Sequence, residues 1–138
     1  MIQSDYRYKC LVYRAVDGDT FEACVITADF GFYQRMTAWV MLRLLDIDTW
    51  EKRGKNKDKG KAAQFNAWQL FQGDCRIHMA HLVTEKDKDG KYGRFLARLY
   101  LPVPKGWDKS ITTNPITGKK CIQLAVALEE MGFKKEQA

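Results

Sequence analysis

The sequence predicts an α+β fold, mainly β: a five-stranded OB-type Greek-key barrel with two helices packed on it. Three observations carry this. Five stretches alternate apolar and polar residues with the two-residue period of a half-buried strand. One helical pattern falls between the third and fourth stretches, and a second follows the fifth. That order fits a small closed or partly open barrel. The 138 residues suffice for one domain, 1–138, and no internal repeat or second-domain boundary is visible. With 46% hydrophobic and 29% charged residues, disorder is not the default.

Strand one covers residues 6–16, with Tyr6, Tyr8, Cys10 and Val12 against Arg7, Lys9 and Leu11. Asp17-Gly18 is a strong turn signal between strand-like runs, and a plain hairpin accounts for both residues. Phe21, Ala23 and Val25 give strand two one apolar face, and a loop near 29–34 leads to strand three, about 36–48. Residues 52–61 are a lysine-rich run with two glycines and nothing to bury. They are expected to form a mobile loop, serving either solubility or the guidance of phosphates. A helix is expected over 61–71, with Ala62, Phe65 and Trp68 at helical spacing and Gly73 as its stop.

Strand four covers 75–83. His78 and His81 are three apart, so a strand sends them to opposite faces and they should not share a metal. Residues 85–91 read as a charged turn, and residues 92–94 open strand five, where Phe95, Ala97 and Leu99 alternate with Leu96 and Arg98. Residues 102–120 hold all three prolines and form a long loop or a small extra hairpin, with Trp107 positioned to pin it. The second helix is expected over 121–131, ended by Gly132, with a frayed tail at 134–138.

The net charge of +6 and a pI near 9.2 favour an anionic partner, nucleic acid first. The N-terminal residues lack the apolar segment of a signal peptide, and no apolar run approaches the ~20 residues of a membrane span. A cytoplasmic protein without a membrane partner, monomeric or weakly dimeric, is expected. The four cysteines form no Cys-x-x-Cys pair; Cys10, Cys24 and Cys75 sit in alternating apolar runs and read as reduced core residues.

The stretch from Arg43 to Glu51 stands apart. Within nine residues it offers one guanidinium and the carboxylates of Asp46, Asp48 and Glu51, at the end of an apolar strand. Acids are poor strand formers, so their clustering there suggests a cation site. Arg43 and Asp48 are an odd number of residues apart, so the chain must bend or bulge between them if both serve one site.

Taken together, Asp17-Gly18-Asp19-Thr20, Arg43-Leu44-Leu45 through Asp48-Thr49-Trp50-Glu51, and Lys91-Tyr92-Gly93-Arg94 resemble three blocks of the staphylococcal nuclease (thermonuclease-like) family. The blocks occur in the family's order, and the resemblance covers roughly residues 12–132. It implies an OB-type barrel and a calcium-dependent phosphodiesterase acting on DNA and/or RNA. By position, Asp19 and Asp48 would ligate Ca2+ through carboxylates and Thr49 through its backbone carbonyl. Glu51 would be the general base or orient the attacking water. Arg43 and Arg94 would hold the phosphate and stabilise its transition state, and Lys91 and Tyr92 would contact a nucleotide phosphate. The products would carry a 3′-phosphate and a 5′-hydroxyl. The alternative is a non-catalytic OB-fold module that binds single-stranded nucleic acid.

The residue types agree with such chemistry. Water attack adds charge to the equatorial phosphate oxygens, which a divalent cation and two-point guanidinium donors neutralise. Calcium takes hard oxygen ligands. The chain departs from the family pattern in four places. Trp50 stands where the family has proline and would either pack or stack on a base. Asp46 replaces an apolar residue, at the surface or as an accessory acid. Residues 102–120 replace a short turn. The chain stops soon after the second helix, where the family has another, so a second subunit would be one way to supply the missing cover.

Overall fold

The computed structural model describes residues 6–71, 78–90 and 94–135, with the backbone alone at 85–90 and 94. The strands are β1 (Arg7–Asp17), β2 (Thr20–Asp29), β3 (Gln34–Met36), β4 (Val40–Leu44), β5 (His78–Gly90), β6 (Arg94–Leu101), β7 (Thr112–Thr113) and β8 (Lys120–Gln123). The helices are α1 (Lys57–Gln69) and α2 (Leu124–Glu130).

Five strands close on themselves. β1 pairs with β2 and β5, β2 with β4, and β5 with β6, all antiparallel; parallel pairing of β4 with β6 shuts the ring. This is the expected OB-type barrel, with β3, β7 and β8 as additions. Its interior is filled by alternate strand residues: Cys10, Val12, Phe21, Ala23, Leu42, Leu44, Leu82, Ala97 and Leu99. From α1 come Ala67 and the following Leu70 and Phe71, and from α2 Leu124 and Leu128, which cover the barrel. A closed barrel leaves no unpaired edge among its own strands.

Several boundaries differ from the sequence reading. The expected third strand is two: β3 and β4 are separated by residues 37–39, where the Thr37 hydroxyl accepts a hydrogen bond from the Val25 amide and the Thr37 amide bonds back to the Val25 carbonyl. Part of the lysine-rich run is helical, because α1 begins at Lys57 rather than 61. Lysine is a good helix former, and Asp58 sits favourably in the first turn. The expected turn at 85–90 is backbone of β5, while residue 91 lies outside the described residues.

The second helix starts at Leu124, because Cys121 to Gln123 are taken as strand: Cys121 pairs with Thr112 of β7, and Ile122 and Gln123 with Leu101 and Tyr100 of β6. Residues 102–120 contain an extra hairpin, β7 with β8. Asn114 closes its turn by accepting from the Ile116 and Thr117 amides, and Gly118 supplies the positive φ of 74° that the reversal needs. Trp107 packs against the core and donates its ring N–H to the Ser110 carbonyl at 3.1 Å, pinning the segment as expected.

Lys135, expected to fray, donates its amide to the Asp48 carbonyl. His78 and His81 do face opposite ways: His78 meets Trp68 and Phe71, whereas His81 Nδ1 faces Asn114 Nδ2 at 3.2 Å. Cys10 and Cys121 are buried and Cys24 half-buried, all as free thiols; Cys75 lies outside the described residues.

Candidate active site

The β1–β2 hairpin places the first carboxylate. Gly18 sits at its tip, where an added Cβ would come within 2.7 Å of Ala63 Cβ and 2.8 Å of Thr49 Oγ1. The tip therefore lies flat against α1 and the segment after β4. Asp19, next in sequence, is buried. Its Oδ2 accepts the Thr49 amide at 3.0 Å, and its Oδ1 accepts the Thr20 hydroxyl at 3.1 Å. A carboxylate taken from water needs such donors.

β4 ends at Leu44, and the chain bends immediately. Asp46 adopts φ = 72°, a left-handed conformation that aspartate tolerates better than most residues. This is the bend required between Arg43 and Asp48. Arg43 fastens it from inside: Nη1 donates to the carbonyls of Leu44 at 2.6 Å and Ile47 at 2.7 Å. Its Nη2 lies 3.4 Å from Asp19 Oδ2 and also donates to Asp48 Oδ1. The guanidinium side chain is 16% exposed and the Asp48 side chain 62%. One guanidinium nitrogen thus sits on two carboxylates from distant parts of the chain, one fixed and dry, the other open to solvent.

Glu51 is exposed, but its backbone is held from two sides. An added Cβ at Gly60, in the first turns of α1, would lie 2.0 Å from the Glu51 carbonyl oxygen, so only glycine lets the helix approach that peptide. On the other side, Asp17 accepts a hydrogen bond from the Lys52 amide. Burial pushes the Asp17 carboxyl above its ordinary range, with the charges of Asp19 and Glu51 adding to the effect and Lys52 opposing it. Asp17 and Gly60 are site residues that the sequence reading missed. Asp17 was sufficiently explained as a turn residue, and Gly60 lay in a run read as loop.

The remaining candidates fall as follows. Arg94 opens β6 and pairs with Met41, two residues from the Arg43–Leu96 pair; its side chain is not among those described. Lys91 and Tyr92 lie outside the described residues. Asp46 is at the surface, accepting from Arg98 Nε at 2.9 Å. Trp50 packs under Lys59, whose ammonium lies 4.7 Å from the ring centroid. Thr49 Oγ1 is buried with no hydrogen-bond partner among the described residues.

The donor set suits a hard divalent cation: Asp19 accepts from the Thr49 amide, and Asp48, next to Thr49 in the chain, shares the Arg43 guanidinium nitrogen with it, so the donors on hand are carboxylate and peptide oxygens. Among the described residues, no three His, Cys, Asp or Glu side chains form a ligand cluster, so a third protein donor would be a backbone oxygen. No helix among the described residues is long and apolar enough to cross a membrane. No protein-family model matches the chain, and no curated protein matches it.

Proposed function

We propose that the chain is a calcium-dependent nuclease that hydrolyses phosphodiester bonds of DNA and/or RNA. One observation carries the reading: Asp19, Arg43 and Asp48, from two separate blocks of the sequence, meet at a single guanidinium nitrogen. In this reading Asp19, Asp48 and the Thr49 carbonyl hold Ca2+, which when bound supplies positive charge to the phosphate oxygens. Arg43 leaves its carboxylate partners to grip the phosphate with two donors, aided by Arg94. Lysine in either place would lose the planar two-point contact. Glu51 takes the proton of the attacking water or orients it, its aim fixed by the contacts of its own and the next peptide with Gly60 and Asp17. Lys91 and Tyr92 contact the neighbouring nucleotide phosphate.

Glu51→Gln or Arg43→Ala should lower cleavage of a labelled oligonucleotide by several orders of magnitude while thermal unfolding stays cooperative. Products should end in 3′-phosphate and 5′-hydroxyl. Full cleavage by folded Glu51→Gln protein would reject the assigned roles. Salt-sensitive binding with no turnover in calcium, magnesium or manganese would favour the binding-only alternative.

A further inference from the structure

The hairpin of β7 and β8 folds back over the outside of the barrel and is fastened there by a contact that depends on a proton. Ala80 and Leu82 are buried in the barrel core, so His81 between them faces outward. Register places Lys9 of β1 on one side of it and Tyr100 of β6 on the other. The hairpin turn comes down on this row. Asn114, only 5% exposed, brings Nδ2 within 3.2 Å of His81 Nδ1. Arg7, two residues before Lys9 on β1, donates to the Pro115 carbonyl at 2.8 Å, and Ile116 walls a groove with Tyr8 and Ile26.

Hydrogen bonds fix which way the Asn114 amide points. Its Oδ1 accepts the Ile116 amide at 2.8 Å and the Thr117 amide at 3.2 Å, so the oxygen lies on that side and the NH2 group faces the imidazole. An NH2 group only donates. His81 Nδ1 must therefore accept, which sets the ring as the neutral tautomer with its proton on Nε2. Protonation puts a hydrogen on Nδ1 and turns donor against donor, leaving a buried amide without its partner.

We propose that the β7–β8 hairpin is latched to the barrel by the His81–Asn114 contact and lifts off on acidification, with His81 as the proton sensor. The surroundings act in the same direction. Burial lowers the His81 pKa below its ordinary 6.5, and the Lys9 charge adds to this. Arg7 lies on the same side of β1 as Lys9, and Arg98 on the same side of β6 as Tyr100. Burial holds the Tyr100 phenol above its ordinary range, with the Cys121 thiol of β8 nearby. The carboxylates of this region are taken: Asp29 lies 3.6 Å from Lys9 Nζ, and Asp46 accepts from Arg98 at 2.9 Å. Closed, the ring resists a proton that it takes freely once the hairpin lifts. The latch is therefore fully effective above pH 6.5, and below it the closed-to-open ratio falls by up to about tenfold per pH unit. The Arg7 contact with Pro115 is exposed and gives only a weak second hold.

The test is an NMR titration of the full chain from about pH 7.5 to 5, reading the His81 ring and the hydrogen-exchange protection of the Ile116 and Thr117 amides. In the wild type His81 should titrate below 6.5, and the two amides should lose protection by up to about tenfold per pH unit while barrel amides keep theirs. His81→Asn keeps an acceptor that does not titrate, so protection should no longer depend on pH. Asn114→Asp sets a carboxylate oxygen opposite Nδ1. It should raise the His81 midpoint above 6.5 and reverse the trend, the hairpin tightening as pH falls. Titration of wild-type His81 at or above 6.5 would overturn the latch. So would equal loss of protection in His81→Asn, or an Asn114→Asp protein whose His81 midpoint does not rise.

Discussion

Arg43 stands where a cation would compete with it. Its Nη2 serves Asp19 and Asp48 together, so it neutralises the pair that the proposed function assigns to calcium. Replacing it with methionine removes that competing charge. Arg43→Met should bind calcium about tenfold more tightly in titration calorimetry without substrate, while cleavage is lost. Equal or weaker calcium binding would show that the guanidinium does not guard the carboxylates. Thr49 gives a second test at this scale. Its buried hydroxyl lacks a partner among the described residues, so Thr49→Val sheds an unsatisfied polar atom at almost constant shape. Urea unfolding should show stability unchanged or raised by about 1 kcal/mol; a clear loss would reveal an acceptor or bound water.

At the scale of elements, α1 positions the site as well as covering the barrel. In an ordinary helix interior Gly→Ala would stabilise by about 1 kcal/mol. At Gly60 the new Cβ would collide with the Glu51 peptide. Gly60→Ala should therefore destabilise the protein and lower cleavage with calcium affinity retained, read by urea unfolding, kinetics and calorimetry. Stabilisation with full activity would mean that the close approach does not matter.

The strand alternation made most of the barrel legible, because a two-residue period with buried Val12, Phe21, Ala23, Leu42 and Leu99 leaves little choice of face. It could not show where backbone pairing would override side-chain spacing. Cys121 and Ile122 have apolar spacing compatible with a helix, yet they extend because strand partners offer hydrogen bonds, Thr112 of β7 to Cys121 and Leu101 of β6 to Ile122. The start of α1 was hidden for a related reason. Lysines and a glycine look like loop until Gly60 is seen packed on a peptide from another part of the chain.

For the whole molecule, burial sets a pH limit. Cys10 is fully enclosed by the barrel, and burial pushes its thiol from the ordinary 9.0 to about 12, against the opposing effect of a hydrogen bond with the Ala80 backbone. The unfolded chain releases this proton first, so stability is complete below pH 9 and falls between pH 9 and 12 by roughly 1.4 kcal/mol per unit. Denaturant midpoints should fall more steeply with pH in the wild type than in Cys10→Ala; parallel curves would refute the assignment. The site was only partly legible at this scale. Asp19, Arg43 and Asp48 could be named from their motifs, and the bend at Asp46 was required by their parity. The pinning of Glu51 by Asp17 and Gly60 depends on how the hairpin tip, α1 and the post-β4 segment pack, which no local pattern encodes.

The most direct test of the calcium-dependent nuclease is the cleavage rate of labelled single-stranded DNA and RNA as calcium is titrated from chelator to saturation. The account predicts no turnover in chelator, saturable calcium activation, and a large rightward shift of the activation curve in Asp19→Asn and Asp48→Asn. Equal rates with calcium and with chelator would contradict it.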